Sequence, residues 1–378
     1  MFPLNSGCKV GINLELDENL VPCLTKMEAS CCPLFWVLRA MGLHPVALRS
    51  GSTYHVIYSR FLINFFIILI SAASYFASLI AKQPNYYLKA VIDGFYFINF
   101  FNIAALHMLI FLKRESLCKL VTLLASSGHR TPRKYYVMGP LIVAAYSSVV
   151  IVTMYYTYQR GALHLWGIAL CSINQCYLTM WNVQFCFYLN AVQSSYAATL
   201  ARLPEVACAD DGDLGSYVDL ISRLRQLTEQ FNEVFAAFVF LRCFAFLSKL
   251  VVLLYLLCLG SWNLLRAIVV AAAAEEVAQL FVVCAMAEAL QEKEEEMTAV
   301  PTSPCQHSAL VERVWADFAK PGIAGHGRRR LQSLASCLHA HPSRVLCGRV
   351  GVLGQRMLLD MISTVMTYIV VVYQYTPK

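Results

Sequence analysis

Residues 161–201 are 41 consecutive positions without a single Asp, Glu, Lys or Arg. A helix needs roughly 20 apolar residues to cross the core of a bilayer, so this run has room for one crossing and an emerging end. Its first part, 165–189, reads as the span. The same reading applies to 61–81, 94–112 and 137–158, which are also free of charge. Residues 234–259 are interrupted only by Arg242 and Lys249. Residues 263–290 carry Arg266, Glu275, Glu276 and Glu288, and 357–375 carry only Asp360. Seven spans result. Composition agrees: 58% of residues are of the AVILMFWYC set and 14% are charged, against about 25% charged in soluble domains. The chain reads as an all-α polytopic membrane protein with seven transmembrane helices. That excludes a soluble enzyme, a nucleic-acid-binding domain and a disordered chain. The net charge of +7 therefore carries topological rather than nucleic-acid information.

Lys and Arg flanking the spans set orientation. The N-terminal segment and the loops after spans two, four and six together hold 22 of them, and the opposite side holds five. Arg242 and Lys249 lie inside span five, and Arg356 at the foot of span seven stays outside the count. The expectation is a cytoplasmic N-terminus and an extracellular C-terminus, in a multi-pass plasma-membrane protein. Residues 1–30 hold Glu15, Asp17, Glu18 and Glu28 and no apolar stretch of a secretory signal. All 15 cysteines fall in spans or on the inner side, where thiols stay reduced. The expected organisation is a cytoplasmic N-terminal segment (1–55), helices one to six with a ligand pocket in their outer half (56–290), a cytoplasmic loop region (291–350), and a seventh helix with a short outer tail (351–378).

No zinc-protease, phosphate-loop, dinucleotide or nucleophile-elbow motif occurs, and no Cys-x-x-Cys pair. Neither an enzyme, a metal nor a cofactor is expected. His107 reads as a packed polar residue of span two. Charge inside a span is expensive and marks either a structural pair or a working group. Lys249 in span five and Glu275 and Glu276 in span six fall at similar depth, so they are expected to meet. Tyr96, Asn99, Tyr155, Trp166, Asn174, Tyr255 and Trp262 gather in the outer halves of the spans. An interfacial aromatic belt produces that pattern, and so does a pocket between helices. The outer loops are too short to form a binding domain, so a small ligand would have to bind among the helices.

The last helix reads Thr367, Tyr368, five apolar or aromatic residues, Gln374 and Tyr375. This resembles the C-terminal signature of the arthropod gustatory receptor family, with Tyr375 replacing a terminal Phe. Pro33, Leu34, Gly42, Leu43, His44 and Pro45 resemble the family's lead-in to the first span. The stretch from Gly348 to Asp360 resembles its approach to the last helix, without the usual Phe. The resemblance implies a ligand-gated, non-selective cation channel of chemosensory neurons, built as a homo- or hetero-tetramer whose subunits each give the last helix to a central pore. Carried over, Gln374 presents an amide to passing ions, Val371 is the hydrophobic constriction, and Tyr375 narrows or caps the pore. A tastant is the implied ligand, the bilayer and sister subunits are the implied partners, and the resemblance makes 291–350 the subunit-packing region and the helix of 351–378 pore-lining. Two other classes remain open. A seven-helix G-protein-coupled receptor has the opposite orientation and outer cysteines, and a transporter carries inverted repeats and broken helices.

Overall fold

The computed structural model describes residues 32–41, 43, 46–49, 53–56, 66, 69, 72, 86–126, 141–142, 144–148, 164–207, 213–259, 264–298, 344–348 and 350–375. Helix dominates them. Helix α1 (Cys32–Ala40) is followed by a hairpin of β1 (Val46–Arg49) and β2 (Thr53–Val56), paired antiparallel from Val46 opposite Val56 to Arg49 opposite Thr53. Then come α2 (Tyr86–Leu112), α3 (Arg114–Ser126), α4 (His164–Ala207), α5 (Asp213–Leu259) and α6 (Leu264–Thr298). A second hairpin, β3 (Leu346–Cys347) with β4 (Gly351–Val352), leads into α7 (Gln355–Tyr375). The two hairpins are departures from an all-helical expectation, though each strand has four residues or fewer.

Five of the seven expected spans coincide with described helices: span two with α2, four with α4, five with α5, six with α6 and seven with α7. Spans one and three fall mostly outside the described residues. Among the described residues, Ser222–Tyr255 is the one helical segment that is by itself long and apolar enough to cross a bilayer. The pair Phe97–Leu112 and Arg114–Leu124, bent by 65°, would be a second if taken as one span. Amides recur along α4, at Gln175, Asn182, Gln184, Asn190 and Gln193, and lower the mean hydropathy of a helix that is otherwise apolar.

The core forms where α4, α5 and α6 pack on one another, with α2 laid against α4 and α5. Its centre is aromatic. Trp181 stacks on Phe238 with ring centroids 5.6 Å apart, and Phe185, Phe231 and Phe235 close the cluster. Such pairs add to the area they bury. Helix α1 docks on this core through Leu34, Phe35 and Leu38, and Phe35 meets Phe187 edge-on at 5.2 Å. The chain leaves α1 with Leu43 buried and its N–H bonded to the Leu38 carbonyl. Leu34 and Leu43 of the lead-in motif are therefore packing residues.

The α2–α3 bend has a local cause. Arg114 donates through Nη1 to the Phe111 carbonyl at 2.7 Å, and its guanidinium lies 4.5 Å from the Phe111 ring centre. A cation at this point satisfies a carbonyl that the helix end leaves without a partner. Beyond the bend, Leu117, Leu120, Val121 and Leu124 bury one stripe of α3. Helix α5, with 47 residues, is roughly 70 Å long at 1.5 Å per residue, more than twice the ~30 Å of a bilayer core. Its N-terminal part therefore extends beyond the expected span and packs against α3 and the second hairpin.

Candidate functional site

Three helices turn polar stripes toward one another. On α4 these are Gln175, Thr179 and Asn182, spaced by four and three, so they share a face. On α5 they are Arg242 and Lys249, seven apart, two turns along one face. On α6 they are Glu275, Glu276 and Gln279. Glu276 stands between the two cations. Its Oε2 accepts from Arg242 Nη2 at 2.6 Å and its Oε1 from Lys249 Nζ at 2.9 Å. Arg242 and Glu276 are 3% exposed and Lys249 1%. Burial makes such charges costly unless each is paired and hydrogen-bonded, and the surrounding amides meet much of that demand. Lys249 also donates to Gln175 Oε1 at 2.9 Å. Gln279 Oε1 accepts from Asn182 at 2.7 Å and from Arg242 at 3.1 Å.

Glu275 faces elsewhere. Its Oε1 accepts from Gln279 Nε2 at 2.7 Å, from the Tyr146 hydroxyl, and from Gln175 Nε2 at 3.5 Å. Of the two glutamates expected at the depth of Lys249, one meets it directly. Lys249 reaches Glu276, and Glu275 meets it only through a shared Gln175. Successive helical residues point about 100° apart, so the two carboxylates cannot address one partner. Arg242 is the member that sequence reasoning left unassigned. The four-three spacing of polar residues on α4 was the available signal for the rest. Among the described residues, Arg242 Nε and Nη1 and Asn182 Oδ1 have no hydrogen-bond partner. The arrangement locks α4, α5 and α6 in one register and holds no nucleophile paired with a base.

The expected pocket residues divide three ways. Asn99 is buried on α2 and Tyr255 is partly buried near the end of α5. Tyr96, Trp166 and Asn174 fall within α2 and α4. Tyr155 and Trp262 lie outside the described residues. A crevice lies near the α2–α3 bend, between Ile110, Lys113, Leu117, Trp181 and Phe235, and is hardly wider than a water molecule. His107 is buried edge-on against Tyr177 at 5.6 Å.

On α7 one stripe packs inward: Leu358, Met361 and Val365 are buried, and Ile362 and Ile369 partly so. Thr367, Val371 and Gln374 share the opposite, exposed face. Tyr368 is exposed at its flank, and Tyr375 ends the helix. The foot of α7 is tied to α5. Asn232 Nδ2 donates to the Arg344 carbonyl at 2.7 Å, and its Oδ1 accepts from the Leu346 N–H at 3.0 Å. Gly348, at φ +58°, donates to the Ala236 carbonyl at 2.8 Å.

No protein-family model matches the chain, and no curated protein matches it. Solved structures do. The insect olfactory receptor OR5 from Machilis hrabei aligns over 95% of this chain and 100% of its own, with TM-score 0.62 and 12% identity. The structure of OR5 in complex with eugenol aligns over 93% of this chain and 100% of its own, with TM-score 0.66 and 12% identity. A likeness at that identity is one of fold. Taken over nearly the whole of both chains, it means that this chain has the fold of an insect olfactory receptor.

Proposed function

We propose that this chain is a chemosensory receptor of the plasma membrane, a subunit of a ligand-gated cation channel that opens on binding a small organic molecule. The observation that carries this reading is the fold, which matches an insect olfactory receptor along nearly its full length. That one such structure holds eugenol supports a small organic compound as the class of ligand. The C-terminal residues Thr367, Tyr368, Gln374 and Tyr375 favour the gustatory branch, and with it a tastant. Seven spans, an inner N-terminus and an outer C-terminus complete the reading. The apolar side chains exposed on α2, α5, α6 and α7, among them Phe101, Phe244, Phe281 and Val370, suit surfaces that meet lipid or sister subunits.

In this reading four α7 helices face a common axis. Val371 forms a constriction that closes by dewetting, Gln374 presents its amide to the ion, and Tyr375 caps the path. The ligand sits among spans two to six. The test is whole-cell recording from cells expressing the chain, alone and with related subunits, while a panel of tastants that includes eugenol is applied. The reading requires a ligand-evoked cation current. Ligand binding without current, or a response that needs a G protein, would overturn it.

A further inference from the structure

Cys347 of β3 and Cys243 of α5 bring their sulfurs to 3.8 Å, with Cys243 4% exposed and Cys347 fully buried. Both are free thiols. Tertiary contacts to α5 fix this approach. Asn232 grips the backbone on either side of Val345, and Gly348 is hydrogen-bonded to Ala236. Gly348 also sits under Phe240, where an added Cβ would come within 3.1 Å of the Phe240 Cβ. The hairpin is therefore pressed onto α5 with Cys347 directed at Cys243. We propose that Cys243 and Cys347 are an oxidant-sensitive modification site, a thiol pair that a peroxide converts into a disulfide joining α5 to the lead-in of α7.

The chemistry needs one peroxide per pair. The Cys347 thiolate attacks a peroxide oxygen, the O–O bond breaks, and Cys347 becomes a sulfenic acid as hydroxide leaves and takes up a proton. The Cys243 sulfur then attacks the sulfenic sulfur, the S–O bond breaks, and water departs with the thiol proton. Two thiols are oxidised and one hydrogen peroxide is reduced to two waters. A disulfide has sulfurs roughly 2.05 Å apart, so the pair must close by less than about 2 Å. Strands of two residues can shift that far, and can open locally to admit a molecule as small as peroxide. In the expected topology Cys347 lies on the inner side and Cys243 in the inner half of span five, where thiols rest reduced and join only under oxidant. Gln355, the first residue of α7, follows eight residues after Cys347. The bond would therefore tether the foot of that helix.

The test uses the purified full-length chain, treated with hydrogen peroxide, alkylated, digested without reductant and read by mass spectrometry. The expected result is a linked peptide joining positions 243 and 347, joint loss of alkylation at both, and recovery of both after dithiothreitol. Cys243→Ser should abolish the link and leave a sulfenic acid at Cys347 that dimedone traps, while Cys284→Ser should leave the link intact. Undiminished alkylation of both thiols in the parent chain, or a bond to Cys284 instead, overturns the proposal. The readout is a covalent bond in the unmodified sequence. It stands or falls independently of whether the chain conducts ions.

Discussion

Glu276 Oε1 and Lys249 Nζ lie 2.9 Å apart with both side chains all but fully buried, and the same carboxylate binds Arg242. One anion serving two cations makes Glu276 the hub. Glu276→Gln leaves two buried cations without their counter-charge, so the expected loss is about 3–5 kcal/mol, seen as lower thermal stability in detergent and lower surface expression. Glu275→Gln keeps a side chain able to bond Tyr146 and Gln279, and should cost only about 1 kcal/mol. Equal effects from these adjacent positions would mean that the two carboxylates are not differently placed.

Replacing the hub as a set gives a second expectation. Arg242→Met with Lys249→Met and Glu276→Gln removes the ion pairs together. Apolar substitution of buried ionic groups is often neutral or stabilising, so the triple variant should express better than Glu276→Gln alone. Expression no better than that of the single variant would show that the charges do not compensate one another.

The hairpin that leads to α7 offers a backbone test. Gly348 has φ +58°, a conformation that costs most residues about 1–2 kcal/mol, and Phe240 leaves no slack for a Cβ. Gly348→Ala should therefore destabilise the protein, and adding Phe240→Ala should recover only a small part, because it removes the ring contacts at 3.4 and 3.6 Å but keeps the Cβ at 3.1 Å and leaves the backbone cost. Denaturation midpoints of the three proteins check this. Full recovery in the double variant would assign the effect to crowding alone.

Orientation is checked on intact cells. With 22 basic residues expected inside and five outside, an epitope after Lys378 should be labelled without permeabilisation, and one before Met1 only with it. The reverse pattern would remove both the topology and the channel reading.

Much of this architecture is legible in one dimension because lipid is an undemanding judge. Runs of about 20 apolar residues announced α2 and α7 directly. Residue direction around a helix is a finer matter. Lys249, Glu275 and Glu276 were legible as a group at one depth, yet which carboxylate meets the lysine depends on the rotation of α6 against α5. Arg242 lies seven residues before Lys249, but its partner is set by tertiary packing. The β3–β4 hairpin was not legible. Its strands are too short for a periodic pattern, and Asn232, more than a hundred residues away in the chain, supplies its anchor. The lead-in motif was legible as a motif, and packing of Leu34 and Leu43 against the core explains it physically.

We propose that the exposed face of α7, bearing Val371 and Gln374, lines a conducting path. These residues lie opposite the stripe of Leu358, Met361 and Val365 that packs on the rest of the chain. Val371→Ser should wet the constriction and raise current without ligand. In a tetramer, Gln374→Glu would place up to four carboxylates around the axis and should favour divalent cations. Neither change should alter which ligand opens the channel. The decisive measurement is the basal current and reversal potential of both variants at matched surface expression. The account predicts a raised leak for Val371→Ser and a shifted divalent permeability for Gln374→Glu. Parental values for both would contradict it.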